Sequence, residues 1–162
     1  MATHDPKKAA AELDRLTAAF TRAEERLEQA RVPLHAAIVR HLKERSAPPG
    51  KIAEHSPYDR NYVGKLGTAA EVPPLRGPDR PPAPVYNDDT AGKAYAELDK
   101  LTAAYQRAQG KVEQARVPLH DAIVRNYSDR TLPPGKIAEH TPYDRNHVGK
   151  IVKRAGAPLI RG

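Results

Sequence analysis

Residues 133–151, PPGKIAEHTPYDRNHVGKI, return almost unchanged as residues 48–66, PPGKIAEHSPYDRNYVGKL. The Pro-Pro-Gly opening cannot continue a helix, so a new short helix starts there and runs to His140. Pro142 then forces a turn. Two starts compete for the next helix: Asp144 as the N-cap, or Thr141 as the cap with Pro142 in the first helical position and Asp144 in the third. Ile137, Ala138, Tyr143, Val148 and Ile151 are spaced to fold both short helices onto a third. The earlier copy has Ile52, Ala53, Tyr58, Val63 and Leu66 in the same places.

Around this stretch the whole chain is duplicated. Residues 12–77 and 97–162 align at a constant offset of 85 without a gap, and 42 of the 66 positions are identical. A second unchanged run, EQARVPLH, occupies 28–35 and 113–120. Upstream of it, Ala9 to Arg31 lacks Gly and Pro and reads as helix. Its apolar positions Leu13, Leu16, Phe20, Ala23, Leu27, Ala30 and Leu34 alternate by three and four. Leu98, Leu101, Tyr105, Ala108, Val112, Ala115 and Leu119 repeat them. That period makes a narrow seam suited to another helix, so intrachain pairing or self-association through the long helices is expected. Pro33 and Pro118 predict a kink or break, with a second helix over Pro33–Arg45 and Pro118–Arg130. The Pro-rich segment 72–92 reads as an extended linker. The predicted fold is all-α, with two tandem repeats of a long amphipathic helix and a helix-turn-helix unit, over 1–71 and 93–162.

With one Phe, seven Tyr and no Trp, the core must rest on Leu, Ile, Val and Ala. A 66-residue repeat buries only about 60% of its unfolded surface, so pairing of the copies would help. There is no cysteine, hence no disulfide and no thiolate metal site. Neither a signal-like apolar core nor a membrane-length apolar run is present, so a cytoplasmic, nucleoid-associated protein is expected, with no membrane partner. The net charge of +7 is uneven: residues 48–77 carry four Lys/Arg against three Asp/Glu, and residues 133–162 six against two. A basic terminal segment suits a polyanion.

Gly135 to Ile151 resembles the helix-turn-helix of DNA-binding proteins, particularly the I-A-x-x-x-G-[YV]-S-x-x-x-V-x-R-I pattern of homeodomain-like regulators, resolvase tails and sigma-factor region 4. With its preceding helix the unit is similar to small actinobacterial helix-turn-helix proteins. It departs from the pattern where Pro57 and Pro142 replace the turn glycine. The resemblance implies binding of double-stranded DNA, as a transcriptional regulator or a mobile-element accessory factor. Arg145, Asn146, Gly149, Lys150, Lys153 and Arg154 would then face outward from a recognition helix. Arg pairs with guanine and Asn with adenine, Gly149 permits close approach, and Lys136, Lys153 and Arg154 suit phosphates. The first copy offers Arg60, Asn61, Gly64, Lys65 and Lys51 but lacks the terminal basic pair, so the second copy is expected to bind more tightly.

Histidines recur at 35 and 120 and at 55 and 140, with Asp59 and Asp144 four residues after the latter pair. No third ligand has fitting spacing, and neither an H-E-x-x-H nor a Gly-rich phosphate loop is present, so no metal, cofactor or catalytic role is expected. The competing function is a protein-interaction module that uses the heptad helices to bind, for example, a sigma factor or nucleoid protein.

Overall fold

The computed structural model describes residues 5–74 and 85–159 and is all-helical, with no strand among them. Two long helices, α1 (Pro6–Glu44) and α4 (Asp88–Ser128), are each followed by two short ones: α2 (Pro49–Glu54) and α3 (Arg60–Ala69), then α5 (Pro134–Glu139) and α6 (Arg145–Arg154). No helix among the described residues is long and apolar enough to cross a membrane.

Local chemistry sets the ends. Asp5 Oδ1 accepts from the amides of Lys7 and Lys8 at 2.9 and 3.4 Å, with Pro6 in the first turn of α1. Asn87 Oδ1 does the same for Asp89 and Thr90 at 2.8 and 3.3 Å, and Asp88 and Asp89 complement the dipole of α4. That cap starts α4 inside the segment 72–92 expected to be linker; the middle of that segment, 75–84, lies outside the described residues. Both long helices stop at an arginine in the left-handed region, Arg45 (φ 53°) and Arg130 (φ 56°). The following amides, Ser46 and Thr131, close back onto the carbonyls of His41 and Asn126 at 3.1 and 3.0 Å.

The break expected at Pro33 and Pro118 does not occur: α1 and α4 run through both prolines. Each proline removes one hydrogen bond and crowds the carbonyl four residues back, at a cost of about 3 kcal/mol. Pro33 and Gln29, like Pro118 and Gln114, are exposed, so the carbonyl left without its amide can take water instead. Leu34 and Ile38 just beyond, and Leu119 and Ile123 in α4, are fully buried and hold the helix in line.

The compact units cut across the sequence repeats. One, here the α6 unit, joins residues 1–25 to 110–162; the other, the α3 unit, is residues 26–109. Each long helix therefore serves two cores. In the α6 unit, Leu13 and Phe20 of α1 pack with Leu119 and Ile123 of α4, Ile137 of α5 and Val148, Ile151 and Val152 of α6. In the α3 unit, Leu98 of α4 takes the place of Leu13, among Leu34, Ile38, Ile52 and Val63, with Tyr105 partly buried beside them. The first half of each repeat's long helix thus completes the other repeat's trihelical core. Complete burial of Leu13 or Leu98 stabilises its unit by about 1.5–3 kcal/mol.

Polar contacts repeat the exchange. Arg125 donates to Glu12 at 2.6 and 2.7 Å, and Arg40 to Glu97. Grouping by unit also redistributes the charge: the α6 unit has 14 Lys/Arg against 10 Asp/Glu, and the α3 unit 13 against 10. The start of α1, with four Lys/Arg against five Asp/Glu over residues 1–25, offsets little of that basic excess, and the α6 unit keeps a net +4.

Candidate nucleic-acid interface

Asp144 is the N-cap of α6: its Oδ1 accepts from the His147 amide at 2.7 Å, and Asp59 does the same for Tyr62 in α3 at 2.7 Å. This resolves the competition between Asp144 and Thr141 in favour of the aspartate. Starting the helix at Arg145 fixes its register. Val148, Ile151 and Val152 fall on the buried side. Arg145, Asn146, Lys150, Lys153 and Arg154 are exposed, and Gly149 is half-buried.

No side chain of these five polar residues makes an ion pair or hydrogen bond among the described residues. The helix RNHVGKIVKR holds four cations and no acid. Such a side has potential to attract a polyanion, with no partner among the described residues to surrender. A Cβ built on Gly149 or Gly64 would meet no atom within 4 Å, so both glycines open onto space. An approaching surface can come closest to the helix backbone there.

In α3, Arg60, Asn61, Gly64 and Lys65 occupy the same register and are all exposed. Lys153 and Arg154 are replaced by Thr68 and Ala69, which leaves the last turn without a cation. Lys136 and Lys51 stand apart from the rest: each is tied to a glutamate three residues on, Glu139 at 2.9 Å and Glu54 at 3.0 Å. Surface pairs of this kind are worth roughly 0–1 kcal/mol, so a phosphate could displace the carboxylate.

Behind each of α6 and α3 lies a partly buried tyrosine. The Tyr143 hydroxyl is 2.9 Å from His120 Nε2, and the Tyr143 ring stacks on His147 at 4.5 Å. Tyr58 pairs with His35 Nε2 at 2.7 Å and lies 4.5 Å from Tyr62. Burial raises both tyrosines above the usual phenol range. Burial, reinforced by Arg116 and His147 for His120 and by Arg31 for His35, lowers both imidazoles. Each pair is therefore neutral near pH 7, with one proton between oxygen and nitrogen.

The turn between the short helices is clamped by the other repeat. Thr17 Oγ1 donates to the His140 carbonyl at 3.0 Å, and Asp14 Oδ1 lies 2.8 Å from His140 Nδ1. Thr102 and Asp99 grip His55 in the same way at 3.1 and 2.8 Å. His55 and His140 are the C-caps of α2 and α5. Sequence reasoning missed these clamps, although a signal existed: ELD-x-LTAA is unchanged between copies, including polar residues that a lone amphipathic helix would be free to vary. It also missed Arg116, which is held by Glu113 and borders Tyr143.

Among the described residues, no group of three or more His, Asp or Glu side chains is arranged to hold a metal ion. No protein-family model, curated protein or solved structure matches the chain. The geometry of the chain itself is what bears on its function.

Proposed function

We propose that the chain binds double-stranded DNA, with α6 as the principal recognition helix and α3 as a weaker second one. The observation that carries this reading is the outward side of α6. There, exposed Arg145, Asn146, Lys150, Lys153 and Arg154 have no partner among the described residues, on a helix with no acidic residue and an aspartate cap at its base. The N-terminal turn of such a helix presents Arg145 and Asn146 to base edges, and its C-terminal turn presents Lys153 and Arg154 to phosphates. A sequence-directed binder of this kind suits a transcriptional regulator or an accessory factor of a mobile element, working in the nucleoid.

The rival reading, a partner protein held by the heptad seam, loses support because Leu13, Phe20, Ala23, Leu34 and Leu98 are buried within the chain itself. Selection from a pool of random duplexes, then fluorescence anisotropy on the enriched site, tests the proposal. Binding should weaken steeply as salt rises, because each neutralised phosphate releases a counterion. Failure to retain duplex DNA even at low ionic strength, or full affinity in an Arg145→Ala, Lys150→Ala double variant, would remove α6 as the recognition helix.

A further inference from the structure

The two cores are not equally filled. In the α6 unit, Tyr127, Leu132 and Val152 are buried together in one cluster. At the matching positions the α3 unit has Leu42, Ala47 and Gly67. All three changes run from large to small, so at these three positions the α3 unit has roughly ten fewer side-chain heavy atoms, in a setting where close packing is the rule. Val72, in place of Ala157, restores part of the loss. Leu42 has closed on the bare backbone, since a Cβ on Gly67 would stand 3.3 Å from its Cδ1. The same residues border an open-sided pocket of about 440 Å³, of which the missing side chains account for part.

Leu42, Ala47, Gly67 and Val72 line it with Pro73 and Pro74, while Arg45, Thr68 and Tyr86 bring polar groups. This is the size and balance of a small-molecule site, apolar with a few polar atoms to orient the guest, in the range of about 300–1,000 Å³. The void is also not scattered: three separate elements each gave up volume at one point. Gly64, Gly67 and Thr68 of α3 form one side, so a guest would lie directly against that helix.

We infer that the α3 unit carries a binding site for a small, mostly apolar molecule of aromatic-ring size, and that the α6 unit has lost or never had it. The site is independent of the DNA reading, since ligand and chain suffice to observe it. Indole titrated into the full ¹⁵N-labelled chain is the probe. Amide shifts should move at Leu42, Ala47, Gly64, Gly67 and Thr68, and stay still at Tyr127, Leu132, Gly149, Val152 and Lys153. Ala47→Leu, which restores the residue found in the α6 unit, should weaken indole by about tenfold or more without lowering the melting temperature. Equal shifts in both units, or none in either, overturns the assignment. So does a ligand-free Ala47→Leu spectrum in which residues 75–84 move, which would make the chain its own guest. If Ala47→Leu unfolds the unit, Leu42→Met serves instead, because it alters the pocket wall at near-constant volume; indole affinity unchanged in that variant would also count against the site.

Discussion

The α6 and α3 units share a scaffold, and two of their differences bear on function: the outward side of the last helix and the core behind it. What they share is what closes each unit. The Asp14/Asp99 and Thr17/Thr102 clamps, the His120–Tyr143 and His35–Tyr58 pairs and the Asp144 and Asp59 caps recur with nearly the same geometry. What differs is the basic end of α6 against the Thr-Ala end of α3, and Tyr127, Leu132 and Val152 against Leu42, Ala47 and Gly67. Duplication lets one copy keep a charged surface while the other trades core volume for a pocket, provided the contacts that bind the copies to each other are left alone.

The sharpest way to break this comparison is to cut the exchange on one side only. Leu13→Ala removes a fully buried side chain and should cost about 2–5 kcal/mol. Because Leu13 belongs to the core of the other repeat's short helices, hydrogen exchange should accelerate over 119–152. Leu98→Ala should instead accelerate it over 34–66. If Leu13→Ala loosened 34–66 first, the assignment of each half-helix to the opposite repeat would be wrong.

On DNA, Arg145→Ala should cost about 1–3 kcal/mol and relax preference at one base pair, if it makes the bidentate contact proposed. Arg60→Ala should cost less, because the last turn of α3 has no counterpart of Lys153 and Arg154 to add phosphate contacts. Anisotropy titrations of both variants on the selected site decide this. Equal losses would mean that the two helices read DNA with equal weight.

The caps offer a smaller contrast. Asp144→Ala and Asp59→Ala each remove the hydrogen bond to a third-position amide, worth about 0.5–2 kcal/mol. The helix α3 contains Gly64 and Gly67 where α6 has one glycine, Gly149, and each interior glycine costs about 1 kcal/mol of helix propensity. Amide protection in α3 should therefore fall further on loss of Asp59 than protection in α6 on loss of Asp144.

Much of this organisation could be read before any coordinates. The offset of 85, the short-helix pairs and the apolar positions Ile52, Ile137, Val63 and Val148, all fully buried, follow from spacing alone. So does Asp144 as one of two possible caps. The path through Pro33 and Pro118 was not legible, because a proline's local cost says nothing of the packing on either side that outweighs it. Nor was the exchange of half-helices. A seam of period 3.5 states that a helix wants a partner, but identical seams in both repeats cannot say whose partner is whose. The pocket could be suspected only by comparing the copies position by position once Tyr127, Leu132 and Val152 were known to meet in space.

The smallest expected effect concerns acid. His35 and His120 are held below the ordinary imidazole value of 6.5, mainly by burial. Below that value the unfolded chain takes up protons that the folded chain still refuses, so the unfolded state binds more protons and stability falls as pH drops. The fall begins near pH 7 and ends once the folded imidazoles protonate as well. Glu113 and Asp121 near His120, and Glu28 near His35, oppose the shift without reversing it. Urea midpoints measured from pH 7.5 to 5 should therefore decline, and a His35→Gln, His120→Gln variant should decline less. Because both units carry the pair, each single variant should remove part of the slope. A slope unchanged in the double variant would assign the acid sensitivity to other histidines, and would leave the His–Tyr pairs as packing alone.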